Sequence, residues 1–471
     1  MSNLNIVTLA PLLSTEQSAG HVFWIHSTLH ESFNENHYIK HLTVSPKKNA
    51  PDWAIGTLEI SAKARRRFSH FPFFRLNRDV KSLESLLQSY FGRNSSVHIH
   101  VYDGGFREYL LVSRLLRLHP GRSSSFNFAN WLDPWAKYLV NLGAKKKWWG
   151  LSKKNEERFL GNQKILMYTE TKAFAGLFPN WFPKPNIYPS FSTIASLIGG
   201  ALPAALSTEK SIDIIFFPET QEEVDFALDV VRDLGLKIQG EIKSAIQPRW
   251  GLNLSEDIKR KLRDTGVRLF RDHLPLSEFA EMFLQSKVVV LPYRRMAAYS
   301  VQGSGRLLDA ISAGCKVIVP EATALEELCE SDGQVRSASM NHSLDVADLA
   351  AEHLESGASF RSTRYTPSLT VRAIALDAKD AIEHSFEKQF RSVSKAKTVA
   401  LGFAYITLDW YQPLVGIVKA LGLSDKFLAK IRNTLYSILK RTSTENPSFS
   451  KDMMVESSVS NYKSVVNKFE K

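Results

Sequence analysis

Residues 287–320, KVVVLPYRRMAAYSVQGSGRLLDAISAGCKVIVP, carry the side chains and glycines best suited to gripping an anion. Gly303-Ser304-Gly305 is a turn with little bulk, and a helical apolar pattern follows it at once, with Leu307, Leu308 and Ile311 on one face. The first amides of a helix lack partners within it and sit at the positive end of its dipole, so such a turn offers N–H groups to a negative ligand. Arg306 adds a guanidinium there. Tyr293, Arg294 and Arg295 follow the apolar run Val288–Leu291, which Pro292 ends, and point to the same crevice. Each charge-assisted bond of this kind contributes roughly 1.5–3 kcal/mol. Gly314 fits a helix stop, and Lys316–Val319 reads as a second apolar strand. Strand, loop, glycine turn, helix and strand together place a phosphate-bearing ligand at the carboxyl end of a parallel sheet.

The stretch LPY…SGRLLDAISAGCKVIVPEATALEEL resembles the nucleotide-sugar half of two-Rossmann (GT-B) glycosyltransferases, especially the large retaining group called family 4. In that family a strand ending in Pro-Ser or Pro-Tyr leads through a loop and a glycine turn into a helix ending E-A-x-A-x-G-x-P-V-I. Here the ending is Asp309-Ala310-Ile311-Ser312-Ala313-Gly314-Cys315-Lys316-Val317-Ile318. The close match covers residues 279–328; element order supports the rest. The resemblance implies a nucleotide-sugar donor, a glycan or lipid-linked acceptor, and no required metal or other cofactor. The chain also has no Asp-x-Asp motif.

This chain departs from the family in two places. The family carries two Glu separated by seven residues across the turn, the first near the donor sugar and the second on the ribose. Asp309 stands at the second position, with a shorter arm that still accepts from hydroxyls. Val301 stands at the first, with Gln302 beside it. The family also implies an Arg and a Lys after the first strand of the donor domain, where this chain has Pro218-Glu219-Thr220-Gln221-Glu222. Arg249 and Arg271, one after each following strand, are the substitutes. Glu321 follows the last strand of the motif, either near the nucleotide hydroxyls or as a helix N-terminal charge.

On the acceptor side the family shows Gly-Gly after its first strand; this chain offers Gly20-His21. Relatives carry a histidine after the strand matching Ser124–Phe128, where FNFANWLDPW places Asn130. His21, Asp103 and Asp133 are the polar candidates for the acceptor side of the cleft, and His21 and Asp103 those for catalysis. No nucleophile–base pair stands out.

The elements that must position these residues form two alternating series. Asn5–Leu9, His41–Val44, Trp53–Ile60, Val97–Tyr102, Ser124–Phe128 and Ile165–Tyr168 read as strands. His21–His30, Val80–Phe91, Phe106–Leu118 and Lys172–Phe178 read as helices between them. The second series has strands at Ile212–Phe217, Lys237–Ile242 and Val267–Phe270, with helices at Glu222–Leu234 and Leu276–Leu284. Alternation of this kind builds parallel sheets. The expected fold is α/β: two Rossmann-like domains facing a cleft (GT-B), with a helical C-terminal extension. Residues 1–193 form the acceptor domain, 194–365 the nucleotide-sugar domain, 366–442 the extension and 443–471 a disordered tail.

Within the extension, Val371–Val393 is the helix expected to cross back onto the first domain. Thr398–Val418 is mostly apolar, but Asp409, Gln412 and Pro413 interrupt it, so a buried hairpin is favoured over an interfacial segment or a membrane span. Lys426–Arg441 is amphipathic and basic. It fits either a surface helix or an anionic membrane surface.

The 471 residues suffice for two or three domains, and 44% apolar content suits a globular core. A net charge of +12 favours anionic partners. That charge lies in patches such as Arg65–Arg67 and Lys145–Lys147, without a zinc-finger spacing, an RNP-like segment or a basic reading helix, so nucleic acid is not expected. Two cysteines, Cys315 and Cys329, and no secretory leader pattern point to a reducing cytoplasm, with attachment at the inner membrane face as an option. The expected function is transfer of a sugar from a nucleotide-sugar in polysaccharide or glycoconjugate synthesis. A binding subunit that kept the fold without catalysis and a sugar-nucleotide epimerase are the alternatives.

Overall fold

The computed structural model describes residues 4–11, 13, 21–45, 50–56, 72–102, 104, 106–119, 121–128, 165–176, 185–188, 190–195, 210–238, 240–249, 251–271, 273–293, 303–328, 333–356 and 365–383. Two parallel sheets organise them. The first contains β1 (Leu4–Leu9), β2 (Ile39–Ser45), β3 (Ile55–Gly56), β4 (Val97–Val101), β5 (Arg122–Phe128), β6 (Ile165–Thr169) and β7 (Asn186–Ile187), in the order β3-β2-β1-β4-β5-β6-β7. Helices α1 (His21–Asn34), α2 (Pro72–Phe91), α3 (Phe106–Leu118) and the short α4 (Lys172–Gly176) connect these strands. The second sheet contains β8 (Ile212–Phe216), β9 (Ser244–Ile246), β10 (Arg268–Leu269), β11 (Ser286–Val290), β12 (Lys316–Pro320) and β13 (Val335–Ala338), in the order β10-β9-β8-β11-β12-β13. Its helices are α5 (Gln221–Lys237), α6 (Glu256–Asp264), α7 (Leu276–Leu284), α8 (Gly305–Ser312) and α9 (Ser343–Glu355).

Burial on both faces explains the apolar runs of the second sheet. Ile214, Phe216, Val288, Val290 and Ile318 face one core, with α5 and α9. Their neighbours Ile215, Phe217, Val289, Leu291, Val317 and Val319 face the other, with α7 and α8. The first sheet is asymmetric. Val7, Leu9, Ile99, Val101 and Phe126 face an apolar core under α2 and α3. The opposite residues, Thr8, His41, His98, His100, Ser123, Ser125 and Asn127, form a buried polar layer. His98 hydrogen-bonds Ser123 and Ser125 at 2.9 Å each, and His100 bonds Ser125 at 2.8 Å and the Tyr188 hydroxyl at 3.0 Å. Helix α10 (Pro367–Glu383) closes over that side: Val371, Ile374 and Ala378 pack with Ile6, Leu29 and Phe33. A chain segment that follows the second sheet thus completes the core of the first.

Lys237–Ile242 is not a strand. Gly235 does not stop α5, which runs on to Lys237, and the chain turns through Gly240 at φ 140° before pairing at Ser244–Ile246. Of Trp53–Ile60, the described strand is Ile55–Gly56. The late helix begins at Pro367 and is described to Glu383. The segments Thr398–Val418, Lys426–Arg441 and 443–471 lie outside the described residues. Among the described residues no helix is long and apolar enough to cross a membrane. Cys315 is a buried free thiol, pushed up to about 11 by burial, and Cys329 lies outside the described residues.

Helix α8 ends as its glycine implies. Gly314 adopts φ 72°, the left-handed conformation that non-glycine residues take at a cost. Gly314→Ala is therefore expected to lower stability by about 1 kcal/mol, read as a shift of the urea midpoint without a change in slope.

Candidate anion site at the switch point of the second sheet

Strand order in the second sheet reverses between β8 and β11, so the loops leaving their carboxyl ends part and leave a crevice. The loop after β8 supplies Glu219. Thr220 caps α5 by accepting from the Glu223 amide at 3.2 Å, and the Glu223 carboxylate accepts from the Glu219 amide at 2.6 Å. The Thr220 cap and the reach of Glu223 to the residue before that cap together fix the Glu219 corner. The loop after β11 supplies buried Tyr293 and returns through Gly303 and Ser304 into α8. Ser304 is the N-cap, but its side chain makes no capping bond, so its hydroxyl does not fill the amides of the first turn.

Two predicted arginines converge on one carboxylate that sequence reasoning did not count as a site residue. Arg306 Nη1 lies 3.9 Å from Glu219 Oε1, and Arg249 Nη1 lies 3.4 Å from Glu219 Oε2. The Arg306 guanidinium also stands 5.2 Å from the Phe217 ring centre. The Arg249 amide donates to the Pro218 carbonyl at 2.9 Å, which places β9's exit loop against β8's. Burial raises the Tyr293 phenol, whose neighbours are Arg306, Glu219 and Ser304. The site is thus an arginine pair shielded by an acid, beside a glycine turn. The T-x-x-E pattern at 220–223 was the signal that Glu219 is rigidly placed.

The other expected residues separate. Arg271 is exposed after β10; its carbonyl accepts from Gln247 at 3.3 Å, and among the described residues its side chain takes no part in the Glu219 cluster. Glu321 is exposed after β12, and its amide donates to Ala338 at 3.0 Å. Arg294, Arg295, Gln302, Gly20 and Asp103 lie outside the described residues, as do Val301, Asn130 and Asp133. His21 begins α1 after β1, and Tyr102 and Gly104 follow β4, so topology puts these three residues at the switch point of the first sheet. A Cβ on Gly104 would collide with the Phe126 ring and Val101, which accounts for that glycine.

Asp309 requires a correction. The expectation was a carboxylate facing ribose hydroxyls. It is 0% exposed. Its Oδ1 accepts from the Ser192 hydroxyl and the Thr193 amide at 2.8 Å each, and the Thr193 hydroxyl lies 3.1 Å from Oδ1 and 3.2 Å from Oδ2. In this arrangement it clamps the segment leaving the first sheet onto α8. Burial pushes its carboxyl up to about 6 despite those donors.

The carboxyl edges of the two sheets face each other. Trp24 of α1 packs 5.6 Å from Phe279 of α7 and stacks with His273 at 6.2 Å. The Gly303 amide donates to Glu170, at the end of β6, at 3.2 Å. Glu327 accepts from the amides of Lys172 and Ala173 at 2.8 and 2.7 Å.

Among solved structures, the chain is similar to a glycosyltransferase from Rickettsia africae ESF-5 at 12% identity, covering 82% of this chain and 100% of that one with a TM-score of 0.52. The chain has the GT-B fold. A UDP-GlcNAc 2-epimerase from Neisseria meningitidis, solved with UDP-GlcNAc bound, aligns at 12% identity over 80% of this chain and 100% of that one, with a TM-score of 0.49. No protein-family model matches the chain, and neither does any curated protein. Within this GT-B fold, the Glu219 cluster and the Gly303–Arg306 turn lie at the carboxyl edge of the second sheet.

Proposed function

We propose that the chain is a glycosyltransferase. It holds the diphosphate of a nucleotide-sugar at the Gly303–Arg306 turn and passes the sugar to a glycan or lipid-linked acceptor against the carboxyl edge of the first sheet. The observation that carries this reading is the convergence of Arg306 and Arg249 beside a glycine turn at a topological switch point, facing a second sheet across a cleft. Transfer generates negative charge on the departing diphosphate, and preorganised donors aimed at that charge are the largest catalytic contribution such a site makes. Turn amides and guanidiniums supply that stabilisation in place of a metal ion. A donor phosphate that reaches Arg306 competes with Glu219 for it. A cytoplasmic enzyme, with the basic 426–441 segment on an anionic membrane surface, fits the composition.

The test is a thermal-shift panel of UDP-, GDP-, dTDP- and ADP-sugars on wild type and Arg306→Ala. Ligand at about a hundred times its dissociation constant adds roughly 2.7 kcal/mol of stability. One nucleotide class should stabilise wild type, and Arg306→Ala should bind it roughly ten- to a hundredfold more weakly, the worth of one charge-assisted contact. A panel that leaves wild type unshifted rules the reading out. A second reading, a sugar-nucleotide-binding subunit without catalysis, draws on Val301 in the motif and on the acid Glu219 that partners both arginines. Donor hydrolysis separates the two, because a binding subunit shows none.

A further inference from the structure

The corner Glu170-Thr171-Lys172-Ala173 joins β6 to α4 at the carboxyl edge of the first sheet. It meets the second sheet twice. Glu170 Oε2 accepts from the Gly303 amide at 3.2 Å, inside the turn that opens α8. Two residues further on, the Lys172 and Ala173 amides donate to the two oxygens of Glu327, on the 3₁₀ turn Ala324–Leu328 of the second half. The approach at Gly303 is close: a Cβ there would lie 3.2 Å from Glu170 Oε2. An anionic group from one half of the molecule therefore already sits on an amide of the anion-binding turn of the other half. A bidentate carboxylate pins the backbone that delivers it.

We propose that Glu170 is an autoinhibitory carboxylate, which occupies the anion position of the Gly303 turn until the phosphate of a nucleotide displaces it, and that Glu327 is the positioning residue that holds it there. The inference rests on the reading of that turn as the donor site and adds how the site is regulated. A carboxylate and a phosphate oxygen accept from the same N–H, and two anions repel at that spacing, so the amide serves one at a time. Affinity for the donor then depends on how firmly the corner is held, and Glu327 sets that firmness from outside the turn. Occupancy of the turn by Glu170 also keeps the two sheet edges together when the cleft holds no nucleotide. Donor entry releases one of the two contacts that this corner makes with the second half.

The experiment is calorimetric titration of full-length wild type, Glu170→Ala, Glu327→Ala and Glu326→Ala with UDP, GDP, dTDP and ADP, and with inorganic pyrophosphate. Glu326 is the control. It lies one residue from Glu327 with the same charge, but its carboxylate accepts from Ala322 within its own turn. Glu170→Ala is expected to bind the preferred diphosphate about tenfold more tightly than wild type, the scale of one charge-assisted contact no longer competed for. Glu327→Ala should shift in the same direction by a smaller factor, and Glu326→Ala should match wild type. Amide exchange on the ligand-free proteins gives a second readout: Lys172 and Ala173 should lose protection in Glu327→Ala and keep it in Glu326→Ala. Equal binding by wild type and Glu170→Ala overturns the autoinhibition and leaves the donor site standing. An equal gain in Glu326→Ala and Glu327→Ala also overturns it, because bulk charge would then be the cause. If no protein in the set binds any of the diphosphates, the donor site falls and the inhibition with it.

Discussion

Between pH 6.5 and pH 5 the half of the molecule built on the first sheet should lose most of its stability. His26, His41 and His98 are pushed down to about 3 from 6.5, chiefly by burial, with His30 adding to the effect at His41. Burial also holds His100 well below its ordinary value, and His98, His26 and His41 reinforce it. Each imidazole is neutral in the fold and gains a proton on unfolding once the pH falls below 6.5. The unfolded state then binds more protons, so stability is complete above 6.5 and declines as pH drops. The slope is roughly 1.4 kcal/mol per pH unit for each histidine. Three of them over 1.5 pH units cost roughly 6 kcal/mol, a large part of a typical 5–15 kcal/mol total. Asp309 works in the opposite direction. Its folded value of about 6 exceeds the ordinary 3.8, so the fold gains protons, and stability, as pH falls through 6. That returns at most about 1.4 kcal/mol between pH 6 and 5, too little to offset the histidines. Near-ultraviolet circular dichroism followed from pH 8 to pH 4 should show a cooperative loss centred near pH 5; an unchanged melting temperature at pH 5 would contradict the account. Both ring nitrogens of His26 are buried without a hydrogen bond among the described residues. His26→Leu should therefore leave stability at pH 7 intact or improved and move the acid midpoint lower, because it removes one proton-binding site and one unsatisfied group.

This polar layer marks one limit of what the sequence conveys. The central strands of the second sheet were legible because they are buried on both faces, which leaves uninterrupted runs such as Val288–Val290 and Val317–Val319, whereas Ser244–Ile246 and Val335–Ala338 were not read as strands. The strands of the first sheet were also legible, but nothing local in VHIHV conveys that His98 and His100 are fully buried beneath a helix that arrives more than 260 positions later. The strand expected at Lys237–Ile242 failed for a local reason: Ile238 and Ile242 alternate with polar residues, yet one is the cap of α5 and the other lies in the exit loop. At the candidate site the glycine turn and Arg306 were legible from spacing, because anion binding by a helix N-terminus depends on neighbours in sequence. Glu219 was half-legible through its capping pattern. The pairing of Glu170 with Gly303 spans 133 positions and carries no local signal.

Asp309→Ala separates a motif position from the work done there. If the carboxylate held a ribose, its loss would weaken nucleotide binding and leave the fold alone. The geometry predicts the reverse. Ser192 Oγ, Thr193 N and Thr193 Oγ1 all point at a carboxylate that is 0% exposed, and truncation strands three buried donors at about 1–3 kcal/mol each. Some of that is recovered, because a carboxyl pushed up to about 6 is ionised at pH 7 against the preference of its surroundings. A net loss of about 3 kcal/mol or more is expected. Asp309→Asn keeps an acceptor oxygen and sheds the buried charge, so it should lose much less. The loss should be felt at the junction of the two halves, because Ser192 also ties its amide to the Tyr365 carbonyl at 2.9 Å, just before α10 returns to the first sheet. Chemical denaturation of the two variants, with nucleotide titration of the folded protein, distinguishes the two roles. A destabilised Asp309→Ala that still binds nucleotide with wild-type affinity assigns Asp309 to the clamp, whereas unchanged stability with lost binding returns it to the ribose. The clamp reading also explains why an aspartate suffices at this position: the partners are a hydroxyl and an amide of its own chain at 2.8 Å, close enough for the shorter side chain to reach.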